Sequence, residues 1–124
     1  MGKALVVDDS RAVRMILTRT LQESGYEVCE ASNGREALEV IEAEKATVTL
    51  VLADWNMPEI NGLDLLKRLR QDPQLAALVV IMVTSENELD HMVAALEAGA
   101  NEYVMKPFTK DILLEKLRLA GVHP

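Results

Sequence analysis

Three short, almost unbroken aliphatic runs constrain this chain more than any other feature. Residues 4–7 read ALVV, residues 48–53 read VTLVLA and residues 78–83 read LVVIMV. Strands covered on both faces have this character, and such strands belong to parallel sheets flanked by helices. Two further strand candidates are weaker. Residues 26–31 (YEVCEA) are punctuated by Glu27 and Glu30, and residues 101–105 (NEYVM) are short and mixed. Charged punctuation suits the edges of a sheet. Cys29 reads as a small packing residue on such an edge strand.

Amphipathic patterns separate the runs. Val13, Ile16, Leu17 and Leu21 recur at helical spacing behind Ser10, an N-cap residue. Asn33 precedes Ala37, Leu38 and Ile41, with Glu36 three residues on as in a capping box. Leu65, Leu66 and Leu69 follow Gly62. Leu89, Met92, Val93 and Leu96 form a fourth stripe that stops at Gly99. Thr109 opens the last, carrying Leu113, Leu114 and Leu117. Met15, Met82 and Met92 fit core stripes.

A strand followed by a helix, five times over, predicts a doubly wound α/β domain. With the weak strands at the edges the order is 2-1-3-4-5, and right-handed crossovers place helices on both faces. The 124 residues suit one domain spanning 1–124, with no output domain expected. Hydrophobic residues make up 49% and charged residues 27%, which excludes a disordered chain. The net charge of -7 argues against a nucleic-acid partner. The apolar runs fall far short of the ~20 residues a membrane helix needs, so no membrane partner is expected. Cys29 is the only cysteine, which excludes an internal disulfide and a cysteine-based metal site. Cytoplasmic residence is the simplest reading.

Ligands of doubly wound sheets bind at the carboxyl ends of the strands, near the point where strand order reverses. There the first strand runs into Asp8 and Asp9, the third into Asp54, the fourth into Thr84 and Ser85, and the fifth into Lys106 and Pro107. Neighbouring strands lie about 4.8 Å apart, so three carboxylates converge. Their repulsion must raise their pKa values or recruit a cation. An all-oxygen donor set favours a hard ion such as Mg²⁺. His91 and His123 have no partner at ligand spacing. Thr84 lies one strand from Asp54, and Lys106 lies two strands away, roughly 10 Å of backbone that a lysine largely spans. Such a constellation suits an anionic group carried on a carboxylate, with Asp54 attacking phosphorus while the metal and Lys106 neutralise phosphoryl oxygens.

Asp8-Asp9, the segment Asp54-Trp55-Asn56-Met57-Pro58, Gly62, Thr84-Ser85 and Lys106-Pro107-Phe108, in this order, resemble the response-regulator receiver domain across essentially the whole chain. The segment Asp54–Pro58, together with Tyr103 and residues 106–109 (KPFT), is similar in particular to its stand-alone chemotaxis members. The resemblance implies a flavodoxin-like (βα)5 fold and a switch rather than an enzyme. Asp54 would accept phosphoryl from a histidine kinase or phosphodonor domain. Asp9, Asp54 and the Asn56 carbonyl would hold Mg²⁺, with Asp8 acting through water. Thr84 would bond the phosphoryl group and move with it, and Tyr103 would turn inward. Lys106 would pair with a phosphoryl oxygen, ahead of a cis bond to Pro107. Asn56 and Glu86 would tune self-dephosphorylation. The surface of the fourth helix, fifth strand and fifth helix would then meet a downstream protein, the chain acting as a monomer or a phosphorylation-linked dimer.

Several features qualify this reading. Trp55, next to the acceptor, is expected to be partly exposed. Arg11, Arg14 and Arg19 form a basic stripe on the first helix, either a solvated face or a docking face for an acidic donor. Ser85 and Glu88 have the spacing of a second capping box. No Lys or Arg occurs between Arg70 and Lys106, and Glu88 and Leu89 stand where chemotaxis members carry lysines that meet the flagellar switch. That argues against a flagellar target. Rival functions are a phosphohydrolase with an aspartyl-phosphate intermediate, a nucleotide-binding module, or an interaction module that does not use phosphorylation. A phosphohydrolase of this kind needs a second acid two residues past the nucleophile, where this chain has Asn56. A glycine-rich phosphate loop is also absent.

Overall fold

The computed structural model describes residues 2–85 and 89–122. Its elements run β1 (Lys3–Val7), α1 (Arg11–Glu23), β2 (Glu27–Ala31), α2 (Gly34–Ala43), β3 (Val48–Asp54), α3 (Gly62–Arg70), a 3-10 turn (Pro73–Leu75), β4 (Val79–Ser85), α4 (Leu89–Glu97), β5 (Glu102–Lys106) and α5 (Lys110–Leu119). The five strands are parallel in the order β2-β1-β3-β4-β5. Among the described residues no helix is long and apolar enough to cross a membrane.

Alternation along the strands builds two cores. Leu5, Val7, Val51 and Ala53 face one side, where they meet Ala37, Ile41, Leu65, Leu66, Leu69 and Ala95 from α2, α3 and α4. Ala4, Val6, Leu50 and Leu52 face the other side and meet Leu17 and Leu21 of α1 with Leu113 and Leu117 of α5. The central strands therefore need aliphatic residues on both faces, which is why their sequence runs are almost unbroken.

Short polar side chains start the helices. Ser10, Asn33 and Thr109 accept from the backbone N–H three residues on, at 3.3, 2.8 and 3.2 Å. Asn61 does the same for Asp64 at 2.9 Å. The carboxylate of Glu36 reaches back one residue further than a capping box requires, accepting from the Ser32 hydroxyl at 2.9 Å. Gly99 ends the turn after α4 with φ of 106°. The second capping box falls outside the described residues, because it needs Glu88.

Two stripes differ from the pattern read in the sequence. Met15 and Ile16 are 51% and 55% exposed, so α1 packs through Leu17, Thr20 and Leu21 instead. Helix α4 also reverses expectation. Leu89, Val93 and Leu96 point to solvent and Met92 is only half-buried, while Ala94, Ala95 and Ala98 face the core. Small side chains seat this helix close to its neighbours. Of the three methionines assigned to core stripes, Met82 alone is fully buried.

At the far end of α4, Arg70 makes a three-way tie. It donates to the Gly99 carbonyl at 3.0 Å, the Leu75 carbonyl at 3.2 Å and the Asn101 Oδ1 at 2.9 Å. Asn101 Oδ1 also accepts from the Val80 N–H at 2.9 Å, linking the tie to β4.

Candidate functional site

The carboxyl edge of the sheet gathers the residues that strand order brings there. Asp8 and Asp54 are buried and Asp9 is exposed. Each offers a carboxylate oxygen, and these oxygens lie within 4.8 Å of one another. The Lys106 ammonium stands 3.1 Å from Asp8 Oδ2 and 3.4 Å from Asp54 Oδ1. The Lys106–Pro107 peptide is cis.

Burial of Asp54, reinforced by the charge of Asp8, pushes its pKa up to about 6 against the opposing pull of Lys106. For Lys106, burial alone would lower the pKa, but Asp54 and Asp8 outweigh it and raise it. One ammonium thus leaves the carboxylates under-compensated. The oxygens are hard donors and are already close together, so this donor set fits a divalent cation such as Mg²⁺.

Local bonds hold these groups in place. The Ser10 N–H donates to Asp8 Oδ1 at 2.8 Å, fixing one carboxylate oxygen at the start of α1. Arg14 donates to the Asp8 carbonyl at 2.6 Å and pairs with Glu30 at 3.1 Å. It is therefore half-buried beside the site, not part of a solvated stripe. Arg11 and Arg19 are exposed. Ser10 and Arg14 were not singled out as site residues, and neither spacing nor charge pattern marks a bond to a backbone carbonyl.

On the other side, the Trp55 N–H donates to the Val83 carbonyl at 3.0 Å and the Gly62 N–H to the Trp55 carbonyl at 2.8 Å. A Cβ on Gly62 would lie 2.5 Å from the Asp54 carbonyl oxygen, so only glycine lets α3 start this close to the acceptor strand. Trp55 is not partly exposed as the sequence suggested. It is 8% exposed and stacks on His91 of α4, ring centroids 4.0 Å apart and planes 8° from parallel. A contact between residues this far apart in sequence leaves no local signal.

Thr84 is fully buried, and its Oγ1 has no hydrogen-bond partner among the described residues. Asn56 is exposed, and its backbone N–H opposes the rise in the Asp54 pKa. Tyr103 is half-buried on β5, with the Lys116 ammonium 4.2 Å above its ring. Glu86 lies outside the described residues.

Residues 4–118 match the response regulator receiver domain. The chain is 48% identical over 118 residues to chemotaxis protein CheY1 of Helicobacter pylori, covering 94% of both chains. It is 43% identical over 116 residues to the chemotaxis protein CheY homolog of Campylobacter jejuni, covering 93% of this chain and 88% of that protein. The structure of chemotaxis response regulator CheY4 of Vibrio cholerae superposes with a TM-score of 0.86 at 36% identity, covering 97% of this chain and 98% of that one. The chain therefore belongs to the family of response-regulator receiver domains.

Proposed function

We propose that this chain is a cytosolic phosphoacceptor switch, taking a phosphoryl group from a histidine kinase or phosphodonor domain onto Asp54. The convergence of three carboxylates, two of them paired with one ammonium, carries this reading. In the transfer an Asp54 carboxylate oxygen attacks phosphorus. The phosphorus–nitrogen bond of the donor breaks, and its electron pair leaves with the imidazole, which takes up a proton. Lys106, already within reach of Asp54, pairs with a phosphoryl oxygen. Asp8, Asp9, Asp54 and the Asn56 carbonyl would hold Mg²⁺, which supplies charge neutralisation to the phosphoryl oxygens.

The buried Thr84 hydroxyl, unpartnered among the described residues, is suited to donate to the new phosphoryl oxygens. Its movement would free space for Tyr103, half-buried on the next strand, to turn into. The surface of α4, β5 and α5 then changes, and a downstream protein shifts the equilibrium by its preference for one state. Asn56 stands where a phosphohydrolase would need an acid, and an amide has no proton to give a leaving group, so the acyl phosphate persists.

Incubation with acetyl phosphate and Mg²⁺ should add one phosphoryl mass to the intact protein. Asp54→Asn should abolish the addition. Equal labelling of that variant would overturn the assignment.

A further inference from the structure

Asp8 is gripped both at its carboxylate and at its main chain. The Ser10 N–H and the Lys106 ammonium take its two carboxylate oxygens, at 2.8 and 3.1 Å. Arg14 instead donates to the Asp8 carbonyl at 2.6 Å. That carbonyl belongs to the peptide leading into Asp9, and the Ser10 N–H belongs to the peptide leaving it. Both peptide planes flanking Asp9 are therefore anchored. Asp9 is exposed, so packing does not aim its side chain, and the direction of its carboxylate follows from the backbone on either side.

Arg14 is itself held from two directions. Its backbone N–H donates to the Ser10 carbonyl at 3.0 Å in the first turn of α1. Its Nε pairs with Glu30 of β2 at 3.1 Å, while Nη1 makes the bond to Asp8. Separate N–H groups of one planar guanidinium thus join β2 to the turn between β1 and α1, which a lysine ammonium cannot reproduce.

We propose that Arg14 is a positioning residue for the divalent-cation site, aiming Asp9 through the Asp8 carbonyl, with Glu30 holding the guanidinium in register. This role rests on reading the three carboxylates as a cation site. Its sign sets it apart from a charge effect. As a bare charge Arg14 repels a cation, and its removal would tighten binding. As a positioning residue it pre-forms the donor set, and its removal weakens binding. Salt and solvent screen the repulsion of a half-buried arginine, which leaves positioning as the larger effect.

Mn²⁺ serves as the probe, because it takes the same oxygen donors and its free form is counted by electron paramagnetic resonance. Mg²⁺ is read by competition. Wild type, Arg14→Met, Arg14→Lys and Glu30→Gln are compared, with folding checked by urea unfolding in the absence of ions. Arg14→Met should weaken Mn²⁺ binding about 10-fold, as loss of a ligand-orienting partner does. Arg14→Lys keeps the charge but loses the fork, and should weaken binding about 5-fold. Glu30→Gln removes the charged brace and should weaken it about 3-fold. In acetyl phosphate labelling of Asp54, the Mg²⁺ concentration for half-maximal rate should rise by the same factors, while the rate at saturating Mg²⁺ stays within ~2-fold. Wild-type or tighter Mn²⁺ binding in any of the three variants overturns the proposal, and so does absence of Mn²⁺ binding to wild type. If the Arg14 variants do not fold, Glu30→Gln decides alone by the same criterion. Weakened Mn²⁺ binding in the variants, with no labelling of wild type by acetyl phosphate, supports the positioning role and counts against the phosphoacceptor reading.

Discussion

Helices α3 and α4 pack on the same side of the sheet and flank the same strand ends, yet they distribute their side chains oppositely. Helix α3 buries Leu65, Leu66 and Leu69 and starts at a glycine pressed against the Asp54 carbonyl. Helix α4 buries Ala95 and leaves Leu89 and Val93 at least half exposed, with Leu96 only slightly less so. The first arrangement converts aliphatic area into stability. The second leaves that area in water, so α4 draws less of its seating from buried aliphatic surface than α3 does.

The largest test of this contrast truncates matched leucines. Leu66→Ala should cost about 2–5 kcal/mol in denaturant unfolding, since it opens a cavity in a close-packed core. A cost under ~1 kcal/mol would show that the site collapses freely and would erase the difference between the helices.

A second test asks what the tight α3 seat supports. Asp54 has its pKa raised to about 6, so the folded chain binds its proton more tightly than the unfolded chain does. Its contribution to stability is therefore most favourable below the unfolded value near 4, declines as pH rises, and is fully unfavourable above about 6. Asp54→Asn should stabilise the Mg²⁺-free protein at pH 7 by up to about 3 kcal/mol, and the gain should vanish by about pH 4. Stability of the two proteins that runs parallel across pH 4–7 would contradict the raised pKa.

The smallest effect sharpens the other side. Leu96→Ala should alter stability by no more than ~0.5 kcal/mol, as for an exposed position. A loss comparable to that of Leu66→Ala would mean that α4 is held by its outer face.

The same contrast separates what could be read from the sequence from what could not. Strand order and the meeting of Asp8, Asp9, Asp54 and Lys106 were legible, because aliphatic runs mark buried strands and topology then brings their last residues together. Ser10, Asn33 and Thr109 were legible as caps because capping is local. The orientation of α4 was not. Leucine and valine recur at helical spacing on one side, but alanines do so on the other, and periodicity alone does not say which side turns inward. Ile16 and Met15 misled in the same way beside Leu17. Arg14 and Trp55 were misjudged for another reason. Their partners, a main-chain carbonyl and a ring on a distant helix, are properties of the folded chain alone.

The tie made by Arg70 fixes where α4 can give way. Its guanidinium holds the turn just past Glu97 to α3, to the Leu75 carbonyl and, through Asn101, to β4. With that end clamped, any displacement of α4 becomes a swing, pivoting at the tail of a rod about 13 Å long. Leu89 then travels furthest and Leu96 hardly at all.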